Sequence, residues 1–274
     1  YYDVNPYLAD NPDDRMDEFK ELVRRVHQAG LKVIIDFVPN HVARDYADFT
    51  ASHPAPTGMT SLGEQDDSSV HWKEENDFFY YPGKALRLPV ENQTYVEIPA
   101  KASGNAYTAE PGVNDWYDTI KLNYCDTPSR TWSKMFDIVT FWASAGVDGF
   151  RCDMVELVPP EFFKWLISRV KKLYPHIIFV AEVYQKTLYA KYIREVGFDL
   201  LYDKSGMYDA VRAIVEKNVN DSGVPVEAWQ STKRITGNWQ FLGDLQPYML
   251  NFLENHDEQR FASDFFGKDA KNSF

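Results

Sequence analysis

The chain has 274 residues, 44% of them hydrophobic and 15% aromatic, with a formal net charge of −12. That length allows a sizeable buried core, as one large domain or a domain with an insertion. No apolar run is long enough to span a membrane, and the acidic balance argues against nucleic acid as a partner, because phosphate binding needs a basic face.

Residues 2–7 read as a loop with two tyrosines, closed by the turn cluster Asn11-Pro12-Asp13-Asp14. From Asp14 an amphipathic helix follows, with Phe19, Leu22, Val23 and Val26 at helical spacing and Gly30 as its end. Residues 31–37 are nearly all apolar, as expected of a parallel strand covered on both faces, and run into Val38-Pro39-Asn40-His41. From His41 to about Thr127 the rhythm breaks: Pro, Gly, Asp, Ser and aromatics dominate, with a β-like piece at 94–98. A segment this long within a compact domain carries its own structure, so it reads as an inserted subdomain. Its aromatic clusters, His71-Trp72, residues 78–81 and Trp116-Tyr117, suit packing or a ligand platform.

After Pro128 the alternation returns. Helix is expected over 131–143, strand over 147–152, helix over 160–174, strand over 177–181 and helix over 188–196. A strand over 198–202, a helix over 207–217, an irregular polar stretch over 225–244 and a strand over 248–253 complete the pattern. Such βα units make a parallel α/β fold. The cysteines, Cys125 and Cys152, give neither a disulfide framework nor metal-ligand spacing; Cys152, inside a strand, reads as a small buried hydrophobe.

The chemistry sits at the strand ends. In Gly146-Val-Asp-Gly-Phe-Arg-Cys-Asp153, Arg151 and Asp153 are two residues apart and project to the same side of an extended backbone. A guanidinium there favours the carboxylate form of the acid; such a pair serves either catalysis or the capping of the next helix. Asp36/His41, Glu182 and His256/Asp257 stand at the same end of other strands. In a barrel those ends converge on one face, where α/β barrels keep their active sites.

Together these segments resemble the α-amylase family of retaining α-glucan enzymes. Asp36-Phe-Val-Pro-Asn40-His41 is similar to that family's first motif, Gly149-Phe-Arg-Cys-Asp153 to the second, Val180-Ala-Glu182 to the third and Glu254-Asn-His-Asp257 to the fourth. The resemblance implies an α/β (β/α)8 TIM-type barrel, incomplete here and covering about strands 3 to 7, with an inserted domain B after strand 3. The catalytic barrel is expected over 1–41 and 128–274, domain B over 42–127, and the whole as a fragment of a longer chain. It implies hydrolysis of α-1,4-glucosidic bonds in starch or maltodextrins, or transglycosylation through the same intermediate, or, failing both, a non-catalytic sugar-binding relative. The implied nucleophile is Asp153, the general acid/base Glu182 and the transition-state stabiliser Asp257. Retention needs the acid and the nucleophile about 5–5.5 Å apart. His41, Arg151 and His256 are implied to hold the reacting sugar and nucleophile, Tyr2 to stack on that sugar, and Asp36 and Asn40 to support them. Glu156 stands where many α-amylases carry a Lys-His pair beside the leaving group; it either lines that side or starts a helix. Where the family often has a calcium-binding Asp in Gln-Pro-Asp-Leu-Asn, this chain has Lys121 in Thr119-Ile-Lys-Leu-Asn123. No cofactor is therefore required and calcium stays possible: Lys121 either replaces the ion's charge at the usual site or is a surface lysine with calcium bound elsewhere in domain B. The expected partner is an α-glucan, oligomeric state is open, and polymeric starch favours a secreted or periplasmic protein although no secretion signal is visible.

Overall fold

A computed structural model describes residues 1–46, 50, 51, 53–215, 228–261 and 263. The chain divides into two compact units, Tyr1–Phe179 and Val180–Phe274.

The first unit opens with 3-10 turns at Pro6–Leu8 and Pro12–Asp14 and then helix α1, Arg15–Gln28. Val23 is its buried residue and Phe19 meets Trp142 edge-on at 5.2 Å, while Leu22 is exposed. The helix ends as its sequence predicts: Gly30 takes a φ of 75°, and Leu31 N–H donates back to Val26 O. Strand β1, Ile34–Phe37, is shorter than the apolar run implied, and Leu31 and Ile34 are exposed, so only part of that run is covered.

β1 pairs in parallel with β6, Gly149–Cys152, in the register Ile34↔Gly149 to Phe37↔Cys152. Every residue of β6 is buried. Gly149 is required where it stands: a Cβ there would lie 2.6 Å from Ile178 O. Helix α2, Arg130–Ser144, leads into β6, and α3, Pro160–Leu173, leads out of it. Phe162, Phe163, Leu166 and Val170 of α3 and Met135 and Val139 of α2 have no exposure, which puts the core of this unit between sheet and helices. Strand β7, Ile178–Ala181, passes from the first unit into the second.

Between β1 and α2 the chain builds two small antiparallel ladders. β2, His41–Ala43, pairs with β5, Thr119–Lys121, and β3, Tyr80–Tyr81, with β4, Ala100–Lys101. The β-like piece expected at 94–98 is not a strand. Pro99 supplies no N–H to continue a ladder, Val96 and Ile98 are exposed, and Glu97 turns inward to a buried ion pair with Arg44 at 2.8 Å. A second buried pair, Lys134 to Asp77 at 2.6 Å, ties α2 to this segment, and Asp77 also accepts from Thr131 Oγ1 and Gly63 N. Phe78 and Tyr80 are buried, so this part of the aromatic content is packing, whereas Trp72 is more than half exposed.

At the amino end of β6, Asp148 gathers three partners: His27 Nε2 at 2.7 Å, Lys32 Nζ at 2.9 Å and Val33 N at 2.8 Å. Burial opposes its charge, but these donors outweigh burial and bring the carboxyl from 3.8 to about 2. A depressed folded pKa means stability that is fully present above the unfolded value and lost as pH falls through the folded one. Asp148→Asn is therefore expected to cost about 2 kcal/mol at neutral pH by weakening a buried acceptor. The difference from wild type in a denaturant titration should shrink between pH 4 and 2. A constant difference over that window would show that the charge is not what stabilises.

In the second unit β7 pairs in parallel with β8, Leu200–Tyr202, and β8 with β9, Met249–Leu250. A single α-turn, Tyr189–Lys191, continues as the π-helical turn Tyr192–Val196. The helix expected over 207–217 starts earlier, as the π-helical turn Lys204–Tyr208, and becomes α4, Asp209–Val215; residues 216 and 217 lie outside the described residues. The stretch read as irregular over 225–244 is corrected: Ala228–Leu242 is helix α5, and residues 225–227 lie outside the description. Its apolar residues hid it. Trp239 and Phe241 are about half exposed, while the helix is seated by Leu242 and by the buried, polar Asn238, whose amide donates to Asp203 Oδ2 at 2.6 Å.

Candidate active site

In the first unit the site grows from the carboxyl ends of β1 and β6. Asp153 N–H donates to Phe37 O at 2.9 Å, extending the ladder by one residue and fixing the backbone of Asp153. The chain then turns sharply: Met154 adopts φ 42°, ψ 47°, a left-handed conformation unusual for a side chain of its size, and a 3-10 turn follows at Val155–Leu157. The buried Arg151 directs Nη1 to Asp153 Oδ1 at 2.7 Å and to Asp36 Oδ1 at 3.0 Å. The two-residue spacing thus delivers the side-by-side pair it predicts, with Asp36 as a second, half-exposed acceptor.

Asn40 is fully buried, donating from Nδ2 to Gly104 O at 2.9 Å and lying 3.2 Å from His41 Nδ1. The His41 ring packs on Trp116 at 5.3 Å. Burial first, and then the Lys121 charge, lower its pKa, which keeps the imidazole neutral at pH 7. Lys121 is itself buried, its Nζ donating to Asn40 Oδ1 and, at 2.8 Å, to Leu157 O; burial draws its pKa down to about 8. One ammonium therefore holds the end of β1, the end of β5 and the turn behind Asp153. Six to eight oxygen donors are what a calcium ion needs; here the Asn40 side chain and the Leu157 carbonyl are taken by Lys121, and the donor set does not fit that ion.

Tyr2 lines a cavity of about 290 Å³ with Tyr1 and Tyr46. Its ring lies edge-on to Phe141 of α2 at 5.3 Å, with its hydroxyl buried and without a partner among the described residues. The Tyr1 hydroxyl donates to Val38 O at 2.5 Å, and Tyr1 also lines a cavity of about 350 Å³ with His41, Tyr46 and Asp118. Two adjacent tyrosines at the start of the chain offer no sequence signal for which hydroxyl meets Val38 O. Glu156 lies in the 3-10 turn rather than in the first turn of α3, where Glu161 stands, and lines a groove of about 460 Å³ with Trp72, Tyr107 and Lys121.

In the second unit Glu182, 3% exposed, follows β7 directly and accepts from the Tyr184 hydroxyl at 3.0 Å on Oε1. That partner was legible in principle, being two residues on and so on the same side of an extended chain. Asp257 and His256 stand in the loop after β9, Nε2 to Oδ2 at 3.2 Å, both more than half exposed. Asp257 N–H and Glu258 N–H both donate to Asn255 Oδ1 at 3.0 Å.

Parallel strands with an Arg151-paired aspartate beyond β6 in the first unit, and a buried glutamate beyond β7 in the second, define an α/β protein with carboxylates at its strand ends. The chain belongs to the α-amylase family: the model of the alpha amylase catalytic domain matches residues 1–273. Among curated relatives, neopullulanase 2 of Thermoactinomyces vulgaris is 22% identical over 98% of this chain and 40% of its own length. Cyclomaltodextrin glucanotransferase of Bacillus licheniformis is 25% identical over 95% and 32%. The chain thus spans less than half the length of these relatives. Among solved structures, the debranching enzyme of Nostoc punctiforme superposes with a TM-score of 0.65 at 20% identity, covering 99% of this chain and 54% of that one. That likeness shows the fold, and the parallel strands described above belong to the (β/α)8 barrel. Among the described residues no helix is long and apolar enough to cross a membrane.

Proposed function

We propose that this protein hydrolyses α-1,4-glucosidic bonds of starch-type glucans with retention, through a covalent glycosyl-enzyme. The observation that carries the reading is Asp153, its backbone in the ladder and its carboxylate 2.7 Å from a buried guanidinium. In the first step an Asp153 oxygen forms a bond to the anomeric carbon as the glycosidic C–O bond breaks, and Glu182 gives its proton to the departing oxygen. In the second, Glu182 takes a proton from water, which attacks the same carbon and releases Asp153. Asp257 stabilises the positive charge that develops on the sugar ring, and His41 and His256 hydrogen-bond its hydroxyls. Lys121 takes the place of a calcium ion, so the proposed enzyme works without one.

Two measurements test this. Chromatography of products from soluble starch and maltoheptaose, made with the full-length protein, should show short maltooligosaccharides. Products longer than maltoheptaose would move the reading to transfer, and sugar binding without turnover would reduce it to a binding protein. For Lys121, a chelator should leave the rate unchanged, whereas Lys121→Met should lower kcat about tenfold, because loss of the Leu157 tether loosens the turn behind the nucleophile. Loss of activity in chelator, restored by calcium, would show that Lys121 does not replace the ion.

A further inference from the structure

The loop that carries Asp257 is irregular and exposed, yet a transition-state stabiliser has to be held to within a fraction of an ångström. Asp257's own contacts are local, to Asn255 and His256. Its neighbour Glu258 reaches out of the loop. Glu258 Oε1 lies 3.0 Å from Lys204 Nζ, and Oε2 accepts from the Tyr208 hydroxyl at 2.8 Å and faces Arg212 Nη1 at 3.4 Å. The three partners come from one stretch, the π-helical turn Lys204–Tyr208 and the start of α4. The Glu258 side chain is 14% exposed and that of Lys204 17%, against 52% for Asp257. Phe252 stacks on Tyr208 at 5.2 Å and fixes the near side of the same loop. Lys204 also pairs with Asp209 at 2.9 Å and lies over the rings of Tyr208 and Tyr184, the latter being the tyrosine that donates to Glu182.

From this arrangement we infer that Glu258 is a positioning residue: its carboxylate, gripped by Lys204, Tyr208 and Arg212, fixes the loop from which Asp257 acts. The inference rests on the reading of Asp257 proposed above. The electrostatics agree with the geometry. Burial opposes the Glu258 charge, but bonds from Lys204 and Tyr208 outweigh it and keep the carboxyl below its ordinary value. For Lys204 burial is likewise outweighed, by Asp209 and Glu258, and its pKa rises.

The test compares Glu258→Gln, Tyr208→Phe, Asp257→Asn and Glu182→Gln in the full-length protein, reading kcat and KM on maltoheptaose, inhibition by acarbose and the melting temperature. Glu258→Gln should lower kcat about a hundredfold, the scale of an ångström-sized misplacement. KM should stay within about threefold, because the lost interaction belongs to the transition state. Acarbose should weaken in proportion to the fall in kcat/KM, as a transition-state mimic does. Tyr208→Phe, which keeps the ring on Phe252 and removes one of three partners, should show the same pattern at about tenfold, and it carries the test if Glu258→Gln does not fold. Wild-type kcat in both Glu258→Gln and Tyr208→Phe, with Asp257→Asn and Glu182→Gln inactive, would overturn the inference alone. So would a loss of kcat that follows the melting temperature while acarbose binds as before. Full turnover by Asp257→Asn and Glu182→Gln would overturn the proposed site and this inference with it.

Discussion

Asp153→Asn should abolish turnover of α-glucans, with kcat falling on the order of ten-thousand-fold or more, the scale at which a missing nucleophile leaves only binding and electrostatics. An amide is nearly the size of the carboxylate and still offers an oxygen to Arg151 Nη1, now 2.7 Å from the acid, and the Asp153 N–H to Phe37 O bond does not involve the side chain. The fold should therefore survive, with a stability loss of about 1–2 kcal/mol for replacing a hydrogen bond to a charged partner by one to a neutral partner. This separates the two roles the Arg151–Asp153 pair can have. If the pair were only a cap or a tether, activity and melting temperature would fall together. Asp36→Asn serves as the internal comparison, since it removes the other carboxylate on the same guanidinium, at 3.0 Å, from a half-exposed position. Its effect on kcat should be far smaller. Equal losses in the two variants would mean that Arg151, rather than Asp153, is the group the reaction depends on.

What the sequence disclosed and what it withheld divide along physical lines. Buried apolar runs announced β6, β7, α2 and α3 to within a few residues, because burial on a sheet or a helix face imposes a period on the sequence. The Arg151–Asp153 pair was equally legible, since a two-residue spacing on a strand leaves little choice of geometry. Helix α5 was not. Its buried face is centred on a polar residue, Asn238 on Asp203, next to Leu242, while its largest apolar side chains, Trp239 and Phe241, are about half exposed and blur the pattern. That the Tyr1 hydroxyl, and not that of Tyr2, meets Val38 O depends on a partner 37 residues away. The Lys121 grip on Asn40 and Leu157 and the Glu258 grip on Lys204 are likewise long-range, linking residues 36 to 81 positions apart and 54 positions apart. A local motif can name such residues but cannot say what they hold.

Glu182→Gln should divide the reaction into its two steps. On starch or maltoheptaose, kcat should fall at least about a thousandfold, the scale of general acid–base catalysis, because the departing sugar oxygen receives no proton. Glutamine fits the place: Glu182 is 3% exposed and its Oε1 accepts from the Tyr184 hydroxyl at 3.0 Å, a bond an amide oxygen can also accept, so the melting temperature should change little. α-Maltosyl fluoride behaves differently, since fluoride leaves without protonation. The first step should then proceed close to the wild-type rate, while the second, in which Glu182 would take a proton from water, stays slow. The glycosyl-enzyme should accumulate, and mass spectrometry of a proteolytic digest should find one maltosyl unit on the peptide containing Asp153. An added strong nucleophile such as azide needs no general base, so it should discharge that ester and give α-maltosyl azide. Three outcomes would contradict the assignment: a first step on the fluoride as slow as on maltoheptaose, a label on Asp257 instead of Asp153, or a β-configured azide. The first removes Glu182 as the acid, the second moves the nucleophile to the loop after β9, and the third replaces double displacement by a single inversion.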